Sequence, residues 1–296
     1  MTSAADIVTP ATLRDWPLPE PGGHKSSRGR VLVIGGARTA PGAALLAGRA
    51  ALRTGAGVLT IALAEAVASA VGAALPEAGL LWLAEPIGAA AAEVVGDCAA
   101  AADAILIGPG LDDPAATGQL LQRLLPELPS DTPVLLDAYA LGALRDLDAA
   151  VTARLAGRLV LTPNPAEADF LLARDGDAQS QDAPGDQLAR LGRIADRFQA
   201  VVSCQNHIVA PTGDSWRVPA GHAGLGTSGS GDVLAGAVTG LIARGADLAQ
   251  ATTWGTFLHA QAAERLSGAT GPLGFLAGEL VQPLPTLLSE LTARLA

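Results

Sequence analysis

Gly224-Leu225-Gly226-Thr227-Ser228-Gly229-Ser230-Gly231-Asp232-Val233-Leu234-Ala235-Gly236 joins a run of glycine and hydroxyl residues to an apolar helical pattern. Beyond Asp232, residues Val233, Leu234, Ala237, Val238 and Leu241 fall on one helix face. Glycines let a backbone turn tightly and approach a ligand without a Cβ in the way. The unpaired N–H groups of the helix that follows, with the positive end of its dipole, make an anion site. Asp232 stands where an anion would rest. A carboxylate in that place suits removal of a hydroxyl proton while the N–H groups hold a transferred phosphoryl group. The plain alternative is a glycine-rich loop before an ordinary helix start, and this stretch alone leaves both open.

Composition narrows the partners. The chain has 296 residues, a formal net charge of -10, 49% hydrophobic and only 3% aromatic residues, so its core must be built from Ala, Val and Leu. The charge argues against nucleic acid as a partner, because phosphate neutralisation needs a basic face. Lys25 is the single lysine, which rules out the Gly-Lys-Ser/Thr run of a P-loop. Bound phosphates must therefore rely on backbone N–H groups, arginine or a metal ion. Cys98 and Cys204 form no CxxC pair and are expected to be buried small hydrophobes. Neither a secretory leader nor a membrane-length apolar run stands out, so a cytoplasmic place with no membrane association is expected.

Outward from the glycine stretch, the chain alternates. Short apolar strands are predicted at 30–34, 58–63, 80–83, 104–107, 134–136, 159–161 and 201–203. Helical patterns are predicted at 43–54, 64–74, 89–101, 117–125, 141–144, 167–172 and 188–198. A polar surface loop is expected at 174–186. A hairpin is predicted from 207–210 and 214–218, then helices at 232–244, 247–266 and 284–295. Residues 1–28 are polar and rich in Pro and Gly, a lead-in that wraps the rest. This pattern means an α/β fold with a mostly parallel sheet covered on both faces, extended antiparallel by the hairpin. No linker or repeat interrupts it, so residues 1–296 are expected to form a single domain, with 1–23 as lead-in.

In such sheets ligands collect beyond the carboxyl ends of the strands. Gly35-Gly36, the turn Ala40-Pro41-Gly42-Ala43, Gly108-Pro109-Gly110, Asp137 and Asn164-Pro165-Ala166-Glu167 all fall there. Each also has a structural explanation, since Gly, Asp and Pro commonly end strands. Asp137 could bond a hydroxyl or cap its helix. Glu167 could order a Mg2+-bound water network, or simply favour its helix start. Gly35-Gly36 does not continue as a dinucleotide fingerprint, and Ser228 and Ser230 lack the GxSxG context of a hydrolase. The four histidines show no metal-ligand spacing. His259 reads as a packing residue, and His222 as a possible ligand contact.

The run HKSSRGRVLVIGGARTAPGAALLAGRAALRTGAGVLTIA (24–62) resembles the opening of the ADP/ATP-dependent NAD(P)H-hydrate dehydratases. So do IGPGL (107–111), LLDAYAL (135–141), LTPNPAEAD (161–169) and GLGTSGSGDVLAGAVTGLIARG (224–245), in the family's order. The resemblance implies a ribokinase-like three-layer α/β/α sandwich. It implies dehydration of the S-epimer of hydrated NADH or NADPH, driven by cleavage of ADP or ATP with Mg2+, in nicotinamide nucleotide repair. Asp232 would activate the substrate hydroxyl for phosphorylation. Ala43, Gly110 and Asn164 would line the hydrated-nicotinamide pocket with Asp232. Gln205, Asn206, His207, Ile208, Val209, Gly229, Ser230 and Gly231 would hold the adenine nucleotide, and Glu167 the metal. A separate epimerase acting in the same pathway is also implied, and a homo-oligomer is expected from the many alanines, which permit helix-mediated association. Two positions depart from the family pattern. Asn164-Pro165-Ala166-Glu167 replaces His-Pro-Gly-Glu, and Cys204-Gln205-Asn206-His207 stands where a Lys-Gly pair is usual. These keep two alternatives in view: a small-molecule kinase acting on a hydroxymethyl group of a vitamin precursor or sugar, and a catalytically degraded nucleotide-binding paralogue.

Overall fold

The computed structural model describes residues 5–173 and 187–293. Its strands are β1 (Asp6–Ile7), β2 (Arg30–Ile34), β3 (Val58–Ala64), β4 (Gly79–Leu83), β5 (Ala104–Ile107), β6 (Val134–Leu136), β7 (Leu159–Leu161), β8 (Ala200–Cys204), β9 (His207–Val209) and β10 (Ser215–Arg217). They lie in one sheet in the order β1-β10-β9-β8-β7-β6-β5-β2-β3-β4. From β8 to β4 every pairing is parallel, and β9 and β10 continue antiparallel as the hairpin pattern predicts.

The helices are α1 (Pro10–Asp15), α2 (Pro41–Arg53), α3 (Glu65–Ala74), α4 (Ala89–Ala100), α5 (Pro114–Leu124), α6 (Tyr139–Leu144), α7 (Ala149–Ala153), α8 (Pro165–Leu172), α9 (Gln187–Phe198), α10 (Ser230–Ala243), α11 (Leu248–Thr270), α12 (Ala277–Leu280) and α13 (Leu284–Thr292). Alternate strand residues serve opposite faces of the sheet. Val31, Val33, Leu106, Leu135 and Val160 pack with α2, α10 and α11. Leu32, Ile34, Ile105, Leu136 and Leu161 pack with α4, α5, α8 and α9. Both faces are therefore buried, which is why these strands read as continuous apolar runs. Among the described residues no helix is long and apolar enough to cross a membrane.

Helices α2 and α10 are in unusually close contact. A Cβ on Gly236 would lie 2.0 Å from the Ala47 carbonyl oxygen, and one on Gly240 would lie 2.5 Å from that of Ala51. The Thr54 hydroxyl donates to the Ala237 carbonyl at 3.1 Å. Gly236 faces Ala47 and Gly240 faces Ala51, one turn on in each helix, so the two run in the same direction with both N-termini at the carboxyl end of the sheet.

Some expectations need correction. The lead-in contains α1 and β1, which pairs parallel with β10. Tertiary contacts hold it. The Trp16 ring stacks on Trp216 at 5.5 Å, and the Trp16 carbonyl accepts from Trp254 Nε1 at 3.0 Å. The short α7 and α12 had no predicted counterpart. Helix α13 ends at Thr292 rather than 295, and residues 294–296 and the polar loop at 174–186 lie outside the described residues. Cys204 is buried as expected, but Cys98 is only half-buried, on the shoulder of α4 beside its inward-facing Val95 and Ala99.

Candidate active site

Strand order reverses direction between β2 and β5, and the loops leaving these two strands meet at the sheet's carboxyl end. The Gly36 N–H donates to the Pro109 carbonyl and the Ala37 N–H to that of Gly110, both at 2.8 Å. Gly110 adopts φ +71, and a Cβ there would lie 2.2 Å from the Ala40 carbonyl oxygen and 3.0 Å from Ala43 Cβ. Two of the expected substrate residues, Ala43 and Gly110, are thus brought side by side. The loop after β2 is braced by Arg38, paired with Glu85 at 3.1 Å, and by the Thr39 hydroxyl, which donates to Asp112 at 2.6 Å.

Helix α10 begins after Gly229, whose φ of 87 favours glycine. Its first helical bond runs from the Val233 N–H to the Gly229 carbonyl at 3.2 Å, and the Ser230 N–H is taken by the Thr227 carbonyl at 3.2 Å. The N–H groups of Gly231 and Asp232 lie ahead of the helical ladder. Open space adjoins them, since a Cβ on Gly231 would meet nothing within 4 Å. Burial lifts the Asp232 carboxyl to about 6.

Asp137 is buried and accepts a hydrogen bond from the Thr162 hydroxyl at 2.9 Å. That hydroxyl belongs to the protein itself, so the bond holds the Asp137 carboxyl in place within the sheet. The N-cap of α6 is Ala138 instead, in a left-handed conformation with φ 50. Burial, then the negative charge of Asp232, push the Asp137 carboxyl to about 7 against the opposing pull of the Thr162 bond. Glu167 adds to the same negative field.

Asn164 and Glu167 cap α8 reciprocally. The Asn164 N–H donates to Glu167 Oε2 at 2.8 Å, and the Glu167 N–H to Asn164 Oδ1 at 3.0 Å. Burial raises the Glu167 carboxyl. Among the described residues no group of three or more His, Cys, Asp or Glu is placed to hold a metal by itself. Mg2+ needs no such cage, because it is commonly held by one or two carboxylates together with substrate phosphates and water. Glu167 offers one such carboxylate, with its Oε2 also accepting from the Asn164 N–H at 2.8 Å.

A cleft of about 630 Å³ opens beside α10. Of the expected residues, Asn164, Gln205, Asn206, Ser230 and Gly231 line it. His207, Ile208 and Val209 instead form β9, with Ile208 and Val209 buried in the sheet. Gly229, Asp232, Glu167, Ala43 and Gly110 lie outside its lining. His222 lines it, with Nδ1 accepting from the Gly224 N–H at 3.1 Å. The inner wall holds residues the sequence did not single out for binding. The Ser203 and Thr256 hydroxyls are 3.1 Å apart, and His259 Nε2 lies 3.0 Å from Ser230 Oγ. His259 is buried, as a packing residue would be, yet it faces the cleft. Burial lowers it to about 4, so its ring is neutral near pH 7. The only hint in sequence was the three-residue spacing of Thr256 and His259, which places both on one helix face. Among the described residues the lining carries no lysine or arginine.

A family model described as NAD(P)H-hydrate dehydratase matches residues 31–286. The ADP-dependent (S)-NAD(P)H-hydrate dehydratase of Xanthomonas campestris pv. campestris is 40% identical over 290 residues, covering 96% of each chain. The bifunctional NAD(P)H-hydrate repair enzyme Nnr of Moorella thermoacetica is 36% identical over 96% of this chain, which spans 54% of that longer protein. A crystal structure of the ADP/ATP-dependent NAD(P)H-hydrate dehydratase from Bacillus subtilis, co-crystallised with ATP/Mg2+, is similar with a TM-score of 0.79 and 28% identity, covering 97% of this chain and 99% of that one.

Proposed function

The chain belongs to the NAD(P)H-hydrate dehydratase family, and from that premise we infer that it restores the S-epimer of hydrated NADH or NADPH by dehydration coupled to cleavage of ADP or ATP. The observation that carries this reading is Asp232, a carboxylate lifted to about 6 in the first turn of α10, beside N–H groups outside the helical ladder.

Dehydration requires a poor leaving group, hydroxide, to depart from the hydrated ring. Phosphorylation replaces it with phosphate, which leaves far more readily. Asp232 takes the proton of the substrate hydroxyl as that oxygen attacks the terminal phosphorus of the nucleotide. The bond from phosphorus to the nucleotide breaks, releasing AMP from ADP or ADP from ATP. The N–H groups of Gly231 and Asp232 hold the transferred phosphoryl oxygens. The carbon–oxygen bond then breaks with loss of phosphate and a ring proton, and the double bond of NADH or NADPH returns. Mg2+, when bound, neutralises charge on the phosphates, and Glu167 is the residue we assign to hold it. Ala43, Gly110 and Asn164 are assigned to the hydrated ring. Gln205, Asn206, Ser230 and Gly231 are assigned to the nucleotide, with His207, Ile208, Val209 and Gly229 supporting them from behind. The whole chain acts as one domain in this reading. A cytoplasmic place, a homo-oligomer and a separate epimerase supplying the S-epimer complete the proposal.

The test is to supply the purified protein with hydrated NADH, Mg2+ and ADP or ATP. Recovery of reduced-nicotinamide absorbance with equimolar phosphate release is expected. A stable phosphorylated product without recovery would point to a kinase, and binding without turnover to an inactive paralogue. Asp232→Asn should lower turnover by about a hundredfold to ten-thousandfold with its melting transition retained.

A further inference from the structure

Ser230 opens α10, yet its hydroxyl does not cap that helix. A serine at a helix start commonly turns its oxygen back onto a first-turn N–H. Here the N-cap is Gly229, and the Ser230 hydroxyl crosses to α11, where it lies 3.0 Å from His259 Nε2. The first-turn N–H groups of Gly231 and Asp232 lie just beyond Ser230, ahead of the helical ladder. Both side chains are buried, at 4% and 7% exposure, and both line the cleft. His259 is itself held firmly, because α11 is 23 residues long and packs Trp254, Phe257 and Leu258 into the core around it. A hydrogen bond shielded from water between two packed helices fixes both partners more rigidly than one at the surface. Asp232 lies two residues beyond Ser230, in the same first turn of α10.

We infer that His259 is a positioning residue: acting through Ser230, it sets the orientation of the first turn of α10, and with it the Gly231 and Asp232 N–H groups and the Asp232 carboxylate. The inference rests on the functional reading above. His259 supplies no proton and touches no reacting atom; it determines where the reacting groups stand.

The experiment compares His259→Leu, His259→Gln, Ser230→Ala and the double variant Ser230→Ala/His259→Leu. For each, kcat and both KM values are measured with hydrated NADH, ADP and Mg2+, alongside melting temperatures with and without ADP. Loss of the bond should lower kcat by about tenfold to a hundredfold in His259→Leu and Ser230→Ala, as displaced catalytic groups do. The double variant should be no slower than the slower single variant. His259→Gln, whose amide can still reach Ser230, should recover most of kcat. Multiplicative losses in the double variant would overturn the inference, as would a rise in the nucleotide KM with kcat intact, which would make His259 a direct contact. Full kcat in Ser230→Ala would overturn it even if His259→Leu failed to fold. Absence of turnover in the wild type would sink the functional reading separately. The positioning role would then be read from the ADP-induced rise in melting temperature, which should shrink in Ser230→Ala and survive in His259→Gln.

Discussion

A carboxylate that must accept a proton works only when ionised. With the Asp232 carboxyl at about 6, kcat/KM should fall as pH drops through about 6, and a rate flat from pH 5 to 8 would remove Asp232 from the base role. Asp137 affects stability in the opposite sense to the usual surface carboxylate. Its folded-state value of about 7 stands above the ordinary 3.8, so between those values the folded protein binds more protons than the unfolded chain. The stability from this group is therefore full below about pH 4 and is lost as pH rises through 7. Asp137→Asn keeps an acceptor for the Thr162 hydroxyl and removes the buried charge. It should melt at a higher temperature than wild type above pH 7, with the difference shrinking toward pH 4, as thermal scans across that range will reveal. At this scale the sequence made Asp232 legible, because a glycine-hydroxyl run before an apolar helix has few uses. It left Asp137 between two roles and gave no sign of its bond to Thr162, which lies on the neighbouring strand's end, far away in sequence. For Thr256 and His259 it gave only their three-residue spacing, and for Ser203 nothing, since all three sit in elements that read as ordinary core.

At the scale of elements, two glycines of α10 separate fold from function. Gly236 is packed against the α2 backbone, and Gly231 faces open space. Gly236→Ala should destabilise by about 1–3 kcal/mol through overpacking, measured by denaturant unfolding. Gly231→Ala should leave unfolding unchanged, since Ala suits a helix, while raising the nucleotide KM by filling space assigned to phosphate. Equal effects on unfolding would contradict this division. The parallel strands were legible because burial on both faces leaves short apolar runs bounded by glycine and proline. The elements that were missed, α1, α7, α12 and β1, contain six, five, four and two residues. They are too short to show a period, and contacts from distant segments hold them in place.

For the molecule as a whole, charge sets how substrates arrive. The chain carries a net charge of -10, and the cleft lining described has no cationic side chain. Anionic nucleotide and anionic NAD(P)H hydrate approach without electrostatic steering. Raising ionic strength from about 0.01 to 0.15 M shortens the screening length from about 30 to 8 Å and weakens long-range repulsion. At fixed free Mg2+, kcat/KM should therefore hold or rise over that range. A steep fall with salt, measured by initial rates, would reveal a cationic surface feeding the site.

Where Gly236 and Gly240 bring α10 against Ala47 and Ala51, neither helix can unwind without stripping the other of its neighbour. The two are therefore expected to open as one cooperative unit, with amides that exchange with solvent on a common timescale in hydrogen-exchange measurements. The helix that carries Ala43 in its first turn and the helix that carries Asp232 share that unit. Local opening elsewhere in the protein should accordingly leave the spacing between Ala43 and Asp232 intact.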